Sequence, residues 1–359
     1  MKNINTKSVY TKISKKRIGV LIGLFVILIL SMLLAITLGV ARISITDVFS
    51  ILFNKALGLS NEKYSAFTTG VIFNLRLPRI ILSVITGLAL GSSGVVMQSL
   101  LRNPLASPYT LGISSASAFG AGLIVILGGA FFGGKILNHA SWAIVLGSFL
   151  MALLAIFIIN LIASIKGGGA SMLILAGVAL SYLFSSGTSF IKYISDHEQL
   201  REFTVWLMGG IYLAEWIDVV ILIPILIIGL ALLLRLAWDI NTLNAGEEVA
   251  KNLGVDVRKL RRRGSIIAAL LTSTVVAFTG IIGFIGLVAP HISRMVVGND
   301  NRFLIITSGM VGAIFLLVAD TIARIIISPT ELPVGIITSL VGAPFFLHML
   351  FKKRKSYWV

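Results

Sequence analysis

Cysteine is absent from the 359 residues. That excludes disulfides, iron–sulfur ligation and thiolate metal sites, and leaves the redox compartment open. Charge is scarce as well, at 12% of the chain against roughly 25% in ordinary soluble domains. Acidic residues are the scarcest, 14 Asp and Glu against 30 Lys and Arg, for a net charge of +16. A soluble protein of this length could bury a large core, but it would still need a charged surface. This chain lacks the charge to make one. Fully 57% of it is apolar, and apolar runs of about 18 residues or more recur along its length, the pattern of helices crossing a hydrocarbon layer about 30 Å thick. In a soluble protein the basic excess would point to nucleic acid. Here the Lys and Arg residues cluster in short segments between apolar runs, so the positive-inside rule accounts for them and no nucleic acid partner is expected.

Apolar runs and their breakers predict ten spans, near 18–41, 79–101, 108–130, 140–164, 172–192, 216–236, 265–283, 287–297, 303–327 and 334–351. The first is too long for a signal-peptide core and lacks a clear cleavage site, so it reads as an uncleaved span behind a basic N-tail, 1–17. The eighth is too short to cross alone. It follows Gly280, Gly283 and Gly286 and ends near Pro290, so its backbone is expected to be broken, which membranes tolerate only inside protein or along a cavity. Ten spans with both termini inside place most of the basic residues on one side: the N-tail, Arg102, Lys166, the segment 235–263, Arg294, Arg302 and the C-tail 352–359. An odd number would expose one basic tail. The fold class is therefore all-α, an integral membrane protein forming a single transmembrane domain over 1–359.

Two hydrophilic stretches interrupt this layout. Residues 42–78 read as an outer connection, and residues 237–263 as the longest inner one, with a short polar helix ended by Gly254. Gly87, Gly91 and Gly94 on the second span, and Gly120 and Gly122 on the third, have spacing that brings helices close together, which points to packing.

Enzyme signatures fail. Gly129-x4-Gly134-Lys135 resembles a phosphate loop, but Ile136 stands where Ser or Thr is required, and the stretch falls on an outer loop. Asp196-His197-Glu198 has no second His at ligand spacing and reads as a solvated loop. His291 and His348 are isolated near helix ends. Asp320 and Arg324, four apart with the acid first, form a favourable intrahelical pair: either a self-neutralised pair near the outer interface, or a means of setting Arg324 at the outer rim to meet an acidic partner. Gln98 and Asn103 end the second span and could cap helices or line a passage.

The stretch Arg76-Leu77-Pro78-Arg79 followed by GLALGSSGVVMQSLLRNPLASPYTLGIS (87–114) resembles the signature of the permeases for iron–siderophores, haem and vitamin B12, the FecCD type of ABC importer. So do TGIIGFIGLVAPHISRMVVG (279–298), ADTIAR (319–324), ELPVGIITSLVGAPFF (331–346) and AGEEVAKNLGV (245–255). The resemblance spans about residues 15–351. It implies a type II ABC importer permease fold in a bacterial plasma membrane, a membrane dimer with an identical or homologous second permease, a cytoplasmic ATPase dimer that holds the ATP and Mg, and an extracytoplasmic binding protein. It implies no enzyme activity, metal or cofactor on this chain. By position it implies that Gly246, Glu247, Glu248, Ala250, Leu253 and Gly254 couple to the ATPase. Arg76, Arg79 and Arg324 would dock the binding protein, and Asn103, Gly169, Ala170 and Ser171 would lie at the inner gate. The Gly-rich stretch KGGGAS around that gate departs from the more hydroxyl-rich form of the vitamin B12 branch. A ferric siderophore is the expected cargo, with haem or vitamin B12 as alternatives. An ion-coupled secondary transporter is the rival from another class, but it calls for ionisable pairs at the bilayer midplane, and the spans offer little beyond Asp320 and Arg324 near one end.

Overall fold

The computed structural model of the chain describes residues 6–39, 43–57, 64–128, 140–165 and 169–351. Lys2, Lys166, the phosphate-loop look-alike from Gly129 to Lys135 and the C-tail 352–359 lie outside the described residues. Among those described, helices account for all the regular structure and no strand occurs. They are α1 (Thr6–Thr37), α2 (Ile45–Ala56), α3 (Ala66–Leu101), α4 (Ile113–Leu127), α5 (Ala140–Ile165), α6 (Ala170–Ile194), α7 (His197–Leu207), α8 (Trp216–Arg235), α9 (Ala237–Asn244), α10 (Glu247–Asn252), α11 (Val257–Thr279), α12 (Ile285–Val297), α13 (Asn301–Ile325) and α14 (Val334–Phe351).

Each of the ten expected spans has its helix: α1, α3, α4, α5, α6, α8 and α11 to α14. Among the described residues, six of these are long and apolar enough to cross a membrane, and α4, α12 and α14 are shorter apolar helices. The remaining one, α11, begins as VRKLRRR and turns apolar only from Gly264 onward, so its first two turns belong to the membrane surface.

Two differences from the sequence reading have physical causes. Residues 42–78 are not a plain connection. They contain α2, capped by Ser44, whose hydroxyl accepts from the Asp47 amide at 3.1 Å, and the second span starts as far out as Ala66, capped by Ser65. The extension passes through a π-helical stretch, Val71–Arg76, immediately before Pro78. Proline has no amide hydrogen to bond the preceding turn, and the wider π turn absorbs that break. Second, Asp196-His197-Glu198 is not a loop. Asp196 caps α7, its carboxylate accepting from the Gln199 amide at 2.8 Å.

The most buried pair of helices is α3 with α13, and glycine makes their contact possible. A methyl group on Gly87 would meet the Ala313 backbone, one on Gly91 the Ser308 carbonyl, and one on Gly94 the Gly286 backbone of α12. The expected packing role is therefore what the structure contains. The eighth span is indeed broken. Residues 280–284 leave the helical path, with Gly280 and Phe284 both at positive φ, and α12 is only 13 residues long, about 20 Å at 1.5 Å per residue. The irregular backbone is buried in protein: the Thr279 carbonyl accepts from the Gly210 amide at 2.8 Å, and the Ile282 carbonyl from the Tyr109 hydroxyl at 2.7 Å.

Candidate functional site: polar clusters at the two ends of the bundle

Among the described residues the middle of the bundle buries apolar side chains together with uncharged hydroxyls such as Ser92, Thr272 and Ser308, and the ionic chemistry gathers at the two ends. At the end carrying 237–263, α10 is a single turn and a half held between two glycines in left-handed backbone, Gly246 at φ +135° and Gly254 at φ +84°. Ala250 is fully buried and fixes the turn against the bundle. Glu248, Val249 and Leu253 face outward, and Leu253 is 68% exposed. Glu247 turns inward. Its carboxylate accepts from the Arg261 guanidinium at 2.8 Å and pairs with Lys251 at 3.3 Å. The hydrogen bond from Arg261 outweighs desolvation and holds the Glu247 carboxyl below its usual range.

Arg261, on α11, is buried and also donates to the Leu100 carbonyl at 3.2 Å. Leu100 lies in the last turn of α3, which closes with Arg102 in left-handed backbone at φ 47°. The next amide, Asn103, returns to the Gln98 carbonyl at 3.1 Å, which also accepts from the Arg102 amide, so backbone bonds close the helix end. A bonded line thus runs from α10 through Arg261 to the chain reversal at Asn103. Residues 169–171 open α6 at the same end, with Ser171 exposed and Ala170 half-buried. Among the described residues no hydrogen bond joins them to Asn103.

Asp300 forms a second hub here. Its carboxylate accepts from Arg17 at 2.8 Å, Arg302 at 2.6 Å and Asn241 at 2.9 Å, tying α1, α9 and α13 together. Burial pushes the Asp300 carboxyl up, but the bonds from Arg302 and Asn241 outweigh it and keep the group below its usual range. Ser99 donates to Asn301 at 3.0 Å, and Arg294 donates to Gln98, so α12 and α13 are bonded to the same end of α3.

At the opposite end Arg76, Arg79 and Arg324 converge, all three buried to within 8% exposure. Arg79 grips Asp320 at 2.8 and 3.0 Å and reaches Glu331 at 2.6 Å. Arg324 makes an ion contact with the same Asp320 at 3.4 Å and donates to the Ala35 carbonyl at 3.2 Å. Arg76 donates to the Ile36 carbonyl. The last carbonyls of α1 have no partners of their own, and the helix dipole makes that end negative, so two arginines capping it is favourable. Asp320 is fully buried between two guanidinium groups, so Arg324 is not a free cation on the rim. The alternative of an internally neutralised pair describes Asp320 better, with Arg79 as its principal partner.

Sequence reasoning missed three members of these clusters: Arg261 as a buried bridge, Asp300 and Glu331. Asp300 carried a readable signal, an Asp immediately before a helical run. Arg261 sat within a basic run and gave none.

The arrangement is that of a helical membrane bundle, and comparison with known proteins identifies its kind. The FecCD transport family model matches residues 27–352. An ABC transporter permease protein of Methanocaldococcus jannaschii is 43% identical over 96% of this chain and 98% of its own length. The hemin transport system permease of Yersinia pestis is 40% identical over 79% of this chain and 84% of its own. A solved metal-chelate type ABC transporter in an inward-facing conformation has a TM-score of 0.79 at 34% identity, covering 93% of this chain and 99% of that one. The chain belongs to the FecCD transport family. It is a multi-pass ABC importer permease, which works with a second permease subunit, and ATP hydrolysis is carried by a separate ATPase. The names among its relatives span haem, cobalamin, molybdate and iron(3+)-hydroxamate, so family membership does not select the cargo.

Proposed function

We propose that the chain forms half of the membrane pathway of a bacterial plasma-membrane importer for chelated iron, taking a ferric siderophore from an extracytoplasmic binding protein and releasing it inside by alternating access. The observation that carries the mechanical part is the bonded line from α10 through Arg261 to the end of α3. A short helix whose outer face is Glu248, Val249 and Leu253, clamped by Gly246 and Gly254 and seated by Ala250, suits a cleft on an ATPase. When that ATPase closes on its ATP and Mg, the Glu247–Arg261 bridge passes the push to Leu100, three residues before Asn103 in the gate. Gly169, Ala170 and Ser171, at the start of α6, complete the inner gate in this reading. At the outer end, three guanidinium groups stand against two carboxylates. The surplus positive charge orients acidic lobes of the binding protein as they dock, even though each arginine is held internally.

Iron as cargo is supported by the 34%-identical metal-chelate transporter and by relatives named for iron chelates and iron hydroxamate. Haem is the second reading, favoured by the Yersinia pestis relative. The test is uptake of radiolabelled ferric siderophores, haem, cobalamin and molybdate in cells with and without the chain. Loss of one siderophore class alone is expected, and loss of haem uptake with siderophores untouched would transfer the assignment. In proteoliposomes holding the full transporter, Arg261→Gln should leave the ATPase bound and hydrolysing while lowering cargo moved per ATP. An unchanged ratio would remove the relay.

A further inference from the structure

Beside α10, but not part of it, a cavity of about 160 Å³ opens between the inner ends of α5, α6 and α11. Its basic wall is the first two turns of α11, with Arg258, Lys259, Arg261 and Arg262 all lining it. Arg261 is committed to Glu247 and Lys259 to Asp256 at 3.1 Å. Arg258 and Arg262, one turn apart on the same helix face, have no acidic partner among the described residues. Arginine stays charged in any such setting, and its planar fork matches phosphate oxygens. Four cations within five residues also repel one another, which a bound anion would relieve.

The other wall carries no charge: Ala163 at the end of α5 and Leu173 at the start of α6, both buried, stand beside Asn160 and Ser164, whose side chains donate to the Ile156 and Leu161 carbonyls of α5. The space holds on the order of ten waters, enough for a phosphate group but well below the roughly 300 Å³ of a whole-ligand site, so the cargo does not fit. Leading to the cavity along α5 is a stripe of exposed apolar residues three or four apart: Leu146, Leu150, Leu154, Phe157, Leu161 and Ile165. Because α11 changes from basic to apolar at Gly264, the cavity sits at headgroup depth, where basic pockets between spanning helices hold anionic headgroups.

We propose that this cavity is a binding site for a phosphate-bearing anion, supplied by the headgroup of an acidic phospholipid of the inner leaflet whose acyl chains lie along the α5 stripe. The site stands whichever cargo is carried. It is tested on the purified full-length chain by native mass spectrometry, titrating phosphatidylglycerol or phosphatidylcholine into detergent micelles, with the double variant Arg258→Gln/Arg262→Gln, the control Arg235→Gln and melting temperatures to establish folding. Wild type and the control should retain phosphatidylglycerol over phosphatidylcholine. The double variant should retain it roughly 25-fold less, at about fivefold per basic residue removed. Displacement of the lipid by excess inorganic phosphate would keep the phosphate site and make free phosphate its source. Equal retention of the acidic lipid by variant and wild type, or no preference over phosphatidylcholine, overturns the proposal. So does a double variant that keeps the lipid but no longer co-purifies with the ATPase, because that makes the basic wall a protein contact.

Discussion

Replacing Asp320 with alanine tests whether the outer arginine cluster holds the fold together. Asp320 is fully buried and takes two bonds from Arg79, at 2.8 and 3.0 Å, plus the ion contact from Arg324. Removing it leaves two guanidinium groups facing a cavity, with Glu331 the one carboxylate, among the described residues, still bonded to either of them. Breaking a buried pair from one side typically costs about 3–5 kcal/mol. The lower end applies here, because Arg79 keeps Glu331 at 2.6 Å and Arg324 keeps the Ala35 carbonyl. The expected loss is therefore about 3 kcal/mol, measured as the change in unfolding free energy of the purified chain in mixed micelles. A second arm separates charge from packing. Adding Arg79→Leu to Asp320→Ala removes one stranded cation, so the double variant should be more stable than the single, giving a coupling of at least about 1 kcal/mol in a double-mutant cycle. A single variant within about 0.5 kcal/mol of wild type, or additive effects, would refute the reasoning and return the arginines to a purely external role.

Gly91→Leu would drive a side chain into the Ser308 backbone at the crossing of α3 and α13. Backbone cannot swing aside, so a loss of more than the usual 1–3 kcal/mol of overpacking is expected, seen as loss of folded protein in size-exclusion chromatography. A monodisperse, transport-competent variant would contradict it. The Glu247 carboxyl titrates below its ordinary value of 4.5, so the Arg261 bridge contributes in full above that value and is lost as pH falls through the lower, folded-state one. Hydrogen exchange of the α10 amides, corrected for intrinsic rates, should show protection unchanged down to about pH 5 and lost only below it. Release between about pH 5 and 7 would exclude Glu247 as the titrating group.

Reading the sequence recovered the helices of the ten expected spans because most of them announce themselves by apolar length, a signal that burial and tertiary contact do not alter. The Gly87, Gly91 and Gly94 series was legible for a similar reason: spacing of small residues constrains close approach directly. The outer extension of α3 was not, since Pro78 reads locally as a break, and only the π turn ahead of it lets the helix continue. The ionic clusters were the least legible. Arg79 and Asp320 are far apart in sequence, and which of several nearby charges meet depends on how α1, α3 and α13 are stacked. The resemblance named Arg76, Arg79 and Arg324 as a group, and the structure does bring them together. It could not reveal that the end of α1 supplies acceptors for Arg76 and Arg324.

Both clusters are anchored on the same two helices. Arg79 and Leu100 stand 21 residues apart on α3, about 32 Å along its axis, which is the thickness of the hydrocarbon core. At the outer end α3 is bonded to α13 through Arg79 and Asp320, and at the inner end through Ser99 and Asn301. Between them, at Gly87 and Gly91, the two backbones approach with no room for a methyl group. Packed interiors transmit displacement because they have no slack to absorb it. Under the proposed relay, a displacement entering at Glu247 and reaching Leu100 through Arg261 would act on a strut whose far end carries the arginine cluster. By contrast α5, α6 and α8 present much of their apolar surface outward, leaving them available to the second subunit and the lipid. In the proposed function, inner coupling and outer docking would be connected by the rigidity of this one helix pair rather than by a polar path through the membrane.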